Sequence, residues 1–130
     1  AGDHIREPLE VAGLKLWSYR GQQLGRCPCN VYIVEMDGMK VSHNGDMNTP
    51  YPWVHAIHLE HDIDVQLLNC WALPTVMARG QKARMIVTGH EWELGHDING
   101  RRGYDETQAM LKPGFERTFL VWGEQAAYIP

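Results

Sequence analysis

The sequence has few cysteines, no long apolar segment and no run of basic residues. Its three cysteines cannot form a closed set of disulfides, and Cys27 and Cys29 are separated by Pro28 alone. Reduced thiols in a cytoplasmic protein are the simplest interpretation. No apolar stretch approaches the roughly 18 residues that span a bilayer, and no export signal is visible at the N-terminus. A net charge of -4 argues against a nucleic-acid-binding protein.

The remaining composition is that of a soluble globular protein. The chain has 130 residues, 44% of them hydrophobic, and five tryptophans. This length is sufficient for one domain with a buried core, so we expect residues 1–130 to form a single domain. Strand patterns alternate with helix patterns along the chain, which predicts an α/β fold.

The clearest predicted element is a β-hairpin at residues 31–35 and 39–43, with Asp37-Gly38 as its two-residue turn. Residues 65–71 are apolar on both faces, which predicts a strand buried on both sides, and residues 21–29 have the composition of a loop. Further strands are predicted at 9–11, 14–19, 83–88, 117–122 and 126–129, and helices at 52–60, 73–79 (ended by Gly80) and 104–111.

Two of the predicted strands run into loops that carry possible metal ligands. Asp46 follows the hairpin strand 39–43, and His90 follows the strand 83–88. Carboxylates and neutral imidazoles both bind divalent cations. Taken singly, Asp46 is also a common turn residue, and His90 is also an ordinary loop histidine.

The order of these segments resembles the metallo-β-lactamase fold, the αββα metallo-hydrolases. The similar segments, in chain order, are AGDHIREPLEVAGLKLWSY, NVYIVEMDGMKVSHNGDMN, DIDVQLLNCWA, ARMIVTGHEWELG and FLVWGEQAAYIP. The resemblance implies half of an αββα sandwich, the C-terminal half, with a mixed sheet and flanking helices. The lactonase-like branch is nearest in pattern.

What the resemblance implies for function is hydrolysis of an ester, lactone, amide or phosphoester by metal-bound hydroxide. Asp46 matches the carboxylate that bridges the metals, and His90 matches the last histidine ligand. His43, just before Gly45-Asp46, takes a supporting role beside the ligands. The resemblance also implies one or two divalent metal ions as cofactors, either zinc or else iron or manganese.

Two parts of the family pattern are absent from the chain. The H-x-H-x-D-H signature does not occur, and the loop between the second and third strands offers Arg20, Gln22 and Gln23 where the family has a histidine. A catalytic site normally needs at least three protein ligands. We therefore expect an inactive isolated chain with an exposed apolar sheet face, completed by a second chain or segment or by a homodimer.

The loop at residues 90–106 offers further candidates. His96 is a possible ligand or substrate contact, and Arg101, beside Arg102, could bind an anionic group of a small-molecule substrate. An exposed turn with solvated charges explains these two arginines equally well.

His55, His58 and His61 are spaced by three residues. On a helix they share one edge, which is compatible with a zinc site, although a surface helix with solvated histidines is the simpler interpretation. Two further hypotheses therefore accompany the hydrolase. The chain could be a non-catalytic binding or assembly module on a half fold, or a separate sandwich with structural zinc at these histidines.

Overall fold

One mixed β-sheet of seven strands organises the computed structural model, which describes residues 7–23, 26–70, 73–90, 104–115, 118–119, 125–127 and 129. The strands are β1 Leu9–Val11, β2 Leu14–Gln22, β3 Pro28–Met36, β4 Met39–His43, β5 Val65–Asn69, β6 Met85–Gly89 and β7 Thr118–Phe119. Their order in the sheet is their order in the chain. Pairing is antiparallel from β1 to β4 and parallel from β4 to β7. The predicted α/β class is confirmed.

Tight turns connect the first two hairpins. Asp37 and Gly38 join β3 to β4 with φ of 51° and 78°, and Ala12 and Gly13 join β1 to β2 with φ of 51° and 82°. Two successive residues with positive φ match the right-handed twist of the flanking strands. The predicted β3–β4 hairpin is confirmed.

The helical elements are a 3-10 helix at Pro52–His55, α1 at Ile57–Glu60, α2 at Pro74–Gln81 and α3 at Tyr104–Leu111. The bounds of α3 agree with the prediction. The single helix expected at 52–60 is wrong, because the 3-10 helix and α1 are separated at Ala56. Gly80 does not end α2 as expected, since the helix continues to Gln81. Gly80 instead allows close packing, because a Cβ there would lie 2.0 Å from the carbonyl oxygen of Val54.

The loop predicted at residues 21–29 is shorter in the structure. Gly21 pairs with Cys29 inside the β2–β3 ladder, and a Cβ on Gly21 would lie 3.0 Å from the Cys29 sulfur. The glycine is thus a packing requirement and not a loop signal. Of the closing hairpin predicted at 117–122 and 126–129, the described part contains β7, which pairs with β6, whereas residues 125–127 lie outside any strand.

The helices cover one face of the sheet and form the core with it. Sheet residues that contribute are Val31, Ile33, Leu68 and Ile86, and the helical elements contribute Val54, Ile57, Met77 and Leu111. On β5 the covered side chains Gln66 and Leu68 are 0% and 2% exposed, but Leu67 between them is 37% exposed. The prediction that this strand is buried on both faces is therefore wrong at Leu67.

Large apolar side chains remain exposed on the other face of the sheet. They are Leu9 and Val11 (each 54%), Tyr32 (38%), Met36 (48%) and Leu67 (37%). The strand register places all of them on the same side. We call this set the open face. An exposed apolar surface of this kind typically marks an interaction site. No helix among the described residues is long and apolar enough to cross a membrane.

Candidate functional site

A short turn at the end of β4 positions Asp46. Gly45 has a φ of 53°, which glycine adopts without steric cost. The Met47 amide donates to the Asn44 carbonyl at 3.3 Å, and the Gly45 amide donates to Nδ1 of His43 at 3.0 Å. His43 therefore stabilises the backbone that presents the Asp46 carboxylate.

A buried polar network holds this turn from below. Gln81 of α2 donates from Nε2 to Oδ1 of Asn44 at 2.8 Å, and its Oε1 accepts from the hydroxyl of Ser42. The backbone amide of Asn44 donates to the Leu67 carbonyl at 3.2 Å, which ties the turn to β5. Buried polar groups that satisfy one another in this way fix a local conformation.

Asp46, His90 and Asn69 meet at one edge of the sheet. Oδ1 of Asp46 lies 2.9 Å from Nδ1 of His90. Asn69, at the end of the strand between them, donates from Nδ2 to Oδ1 of Asp46 at 2.8 Å, and the same nitrogen lies 3.3 Å from Nδ1 of His90. The three side chains converge because β4, β5 and β6 run parallel and end together.

Nδ1 of His90 faces both Asp46 and Asn69. A carboxylate only accepts hydrogen bonds, so a bond to Oδ1 of Asp46 needs a proton on Nδ1, whereas a bond from Nδ2 of Asn69 needs Nδ1 without a proton. With the proton on Nδ1, the neutral ring has its lone pair on Nε2, which is then the nitrogen that can act as a ligand or base. His90 has a φ of 64°, an uncommon conformation for a non-glycine residue.

A cavity of about 380 Å³ surrounds this group. Its lining consists of His43, Gly45, Asp46, Leu67, Leu68, Asn69, Val87, Thr88, Gly89 and His90. The hydroxyl of Thr88 is buried and has no hydrogen-bond partner among the described residues. A concave site with apolar walls and a few convergent polar groups suits a small molecule.

Comparison with solved structures identifies the architecture. A candidate Zn-dependent hydrolase of the metallo-β-lactamase superfamily from Thermotoga maritima aligns with a TM-score of 0.62 and 19% identity, over 79% of this chain and 55% of its own. Igni18, a metallo hydrolase from the archaeon Ignicoccus hospitalis, aligns with a TM-score of 0.68 and 15% identity, over 96% of this chain and 58% of its own. The chain has the metallo-β-lactamase fold. YhfI from Bacillus subtilis, a protein of that fold, aligns with a TM-score of 0.64 and 11% identity, over 89% of this chain and 50% of its own.

The chain spans between 50% and 58% of the length of these structures with the metallo-β-lactamase fold. The expected half of that fold agrees with this coverage and with the open face. No protein-family model matches the sequence, and no curated protein matches it. The lactonase-like branch stays a prediction.

Gln23 occupies the loop where the resemblance to the metallo-β-lactamase fold places a histidine. Its Nε2 donates to Oδ2 of Asp46 at 3.0 Å, so both carboxylate oxygens accept a hydrogen bond. The sequence offered Gln23 in place of that histidine, and in the structure its side chain contacts the Asp46 carboxylate. Asn69 was not predicted at all. Its signal was a polar side chain at the end of an apolar strand, between the strands that carry Asp46 and His90.

Cys29 lies on β3 near the same carboxylate. Burial, followed by the negative charges of Asp46 and Cys27, raises the pKa of the Cys29 thiol.

His55, His58 and His61 do not converge. His55 belongs to the 3-10 helix, and His58 lies in α1. Nδ1 of His58 lies 3.1 Å from the Gly80 carbonyl oxygen. His61 follows α1, is buried, and has Nε2 at 2.7 Å from the Tyr19 hydroxyl. Within the described parts of the chain, no group of three or more His, Cys, Asp or Glu side chains could hold a metal ion. The three histidines therefore do not form the zinc site considered above. The break at Ala56 separates His55 from His58, and His58 and His61 contact different partners.

Tyr19 and His61 instead belong to a buried hydrogen-bonded group under the helices. The Tyr19 hydroxyl donates to Oε2 of Glu60 at 3.0 Å, so it accepts from His61. Burial, and then the Glu60 carboxylate, raise the pKa of Tyr19 far above its ordinary value. His96, Arg101 and Arg102 lie outside the described residues.

Proposed function

We propose that this chain supplies two ligands, Asp46 and His90, to the metal site of a metal-dependent hydrolase. The observation that carries the proposal is the 2.9 Å contact between Oδ1 of Asp46 and Nδ1 of His90. The contact lies in a cavity at the edge where three parallel strands end. The solved structures of the same fold support it, since two of them are named as metal-dependent hydrolases.

The described residues fit such a metal site in part. Asp46 and His90 are a carboxylate and an imidazole, which suit zinc, iron or manganese. Catalytic sites normally have three protein ligands, and the described residues bring no third one to this pair. We therefore propose that a second chain or another segment completes the site. His96, six residues after His90, is a candidate for a further contact, and Arg101 for an anionic group of the substrate.

The chemistry proposed is hydrolysis of an ester, lactone, amide or phosphoester. A divalent ion in a completed site would polarise the scissile bond and lower the pKa of water. Three other residues of this chain position the proposed ligand Asp46. Gln23 and Asn69 each donate to one oxygen of Asp46 and so fix the carboxylate plane, while His43 holds the turn.

The open face supports the proposed partner. Its exposed side chains extend from β1 through β3 to Leu67, whereas Val65 and Met85 on the same side are only 8% and 6% exposed. A second apolar sheet, from another chain, another segment or a second copy, would bury these side chains at about 25 cal/mol for each Å² removed from water. Native mass spectrometry of the purified protein distinguishes these partners by mass.

Metal binding provides the direct test. The double variant Asp46→Ala/His90→Ala should lower the affinity of the protein for Zn²⁺ or Mn²⁺, measured by isothermal titration, by at least tenfold. In the assembly that completes the site, it should also abolish hydrolysis of nitrophenyl esters or bis-nitrophenyl phosphate. The matched control is Asp105→Ala/His55→Ala, which removes an exposed carboxylate and an exposed imidazole elsewhere. Equal metal binding and equal hydrolysis by both double variants would refute the proposal.

A non-catalytic assembly module is the second candidate. The lack of a third ligand among the described residues, together with the open face, favours it. In that case Asp46→Ala/His90→Ala would assemble as the wild type does, and the intact assembly would hydrolyse none of the substrates tested.

A further inference from the structure

A second and larger cavity lies on the helical side of the sheet, between α2 and α3. Its volume is about 770 Å³. Its lining consists of Thr75, Arg79, Lys82, Ala83, Arg84, Met110, Leu111, Pro113, Gly114 and Phe115. We call it the helical groove. It borders the residues that lead into β6 and β7, whereas the cavity at Asp46 lies where the parallel strands end. The two cavities therefore occupy opposite edges of the sheet.

The floor of the helical groove is apolar. Leu111 and Ala83 are 1% and 5% exposed and belong to the core, and Phe115 packs against that core. Met110, on the last turn of α3, adds a flexible apolar side chain that adapts to different ligands. Apolar lining over this volume falls within the roughly 300–1,000 Å³ of small-molecule sites.

The rim of the helical groove is basic. Arg84 is neutralised, because its guanidinium pairs with Asp64 at 2.8 Å and with Asp62. Arg79 and Lys82 are exposed, and no carboxylate in the described parts of the chain pairs with either of them. No acidic side chain is among the described residues that line the groove. In a chain of net charge -4, this places two uncompensated cations beside one apolar concavity.

We propose that the helical groove binds an amphipathic small molecule with a carboxylate or phosphate head group. Arg79 and Lys82 recognise the anionic head, since guanidinium and ammonium groups form their strongest hydrogen bonds with such oxyanions. Met110, Leu111 and Phe115 receive the apolar body. The site shares no residue with the cavity at Asp46, so it stands whether or not the chain takes part in a hydrolase.

Titration of the purified full chain with octanoate, octyl phosphate and octanol tests this assignment. Both anions should bind with at least tenfold higher affinity than octanol, measured by isothermal titration calorimetry at low salt. Whichever anion binds with the higher affinity identifies the head group as a carboxylate or a phosphate. Arg79→Gln/Lys82→Gln should reduce the affinity for both anions to that of octanol. The control Lys15→Gln/Arg26→Gln removes the same charge from β2 and from the connection that follows it, outside the groove lining, and should bind like the wild type.

A variant that fills the groove separates this site from non-specific binding. Thr75→Trp places an indole on the wall formed by α2 and should remove binding of all three probes without loss of folding, checked by circular dichroism. Unchanged anion binding in Thr75→Trp or in Arg79→Gln/Lys82→Gln would overturn the proposal. Octanol binding as tight as that of the anions would overturn it as well.

Discussion

Gly80 provides a quantitative test of how α2 packs, since two opposing effects act on one substitution. Gly80→Ala should stabilise the helix by about 1 kcal/mol through propensity alone. The new methyl group, however, would lie 2.0 Å from the carbonyl oxygen and 2.8 Å from the carbonyl carbon of Val54. Both atoms belong to the backbone, so the 3-10 helix and α2 must separate. Overpacking of this kind costs about 3 kcal/mol at the upper end of its usual range.

The net expectation is that Gly80→Ala lowers the free energy of unfolding by about 2 kcal/mol. With an m-value of about 2 kcal/mol/M, the urea midpoint falls by about 1 M. Tryptophan fluorescence follows the transition, because Trp53 neighbours Val54 in the 3-10 helix. Gly114→Ala is the control, since a Cβ there meets no atom of the described residues within 4 Å. An unchanged or higher midpoint for Gly80→Ala would show that α2 does not pack against Val54 as described.

Three further predictions concern polar groups. Gln81→Leu leaves Asn44 and Ser42 without their shared partner and should cost about 2 kcal/mol in urea unfolding; a variant as stable as the wild type would contradict the network. Since the Tyr19 pKa is raised in the fold, the stability it contributes is complete below the ordinary tyrosine pKa of about 10 and declines as the pH rises above it. Tyr19→Phe should remove that decline in thermal melts. Iodoacetamide should label exposed Cys27 before Cys29, whose thiol pKa is raised, and Asp46→Asn should accelerate labelling of Cys29 in peptide mass spectrometry.

Local signals made much of the fold predictable. The turn at Asp37-Gly38 and the acidic first turn of α3, with Asp105 and Glu106, determine structure within a few residues of themselves. The two glycines that misled the prediction, Gly21 and Gly80, pack against residues that are separated from them along the sequence. Gly21 and Gly80 each permit a contact with a distant segment, and a sequence pattern shows the absence of a side chain but not the neighbour that requires it.

The candidate site was predictable to a similar degree. The ends of two strands pointed to Asp46 and His90, because strand ends are recognisable from the apolar pattern. Gln23 and Asn69 were not recognised as their partners, since a neutral amide carries no distinctive signal in a sequence. The spacing of His55, His58 and His61 suggested a cluster only on the assumption of one continuous helix, and the interruption at Ala56 removes that assumption.

The strands lie in the sheet in the order in which they are synthesised, each beside the strand that precedes it in the chain. The antiparallel strands from β1 to β4 need only short connections, and Asp46 follows the last of them. Asn69 and His90 arrive afterwards, when β5 and then β6 add in parallel. The segments of the antiparallel scaffold therefore precede the pair of Asp46 and His90 in synthesis, and a polypeptide that stops short of β6 would have the carboxylate but not the imidazole.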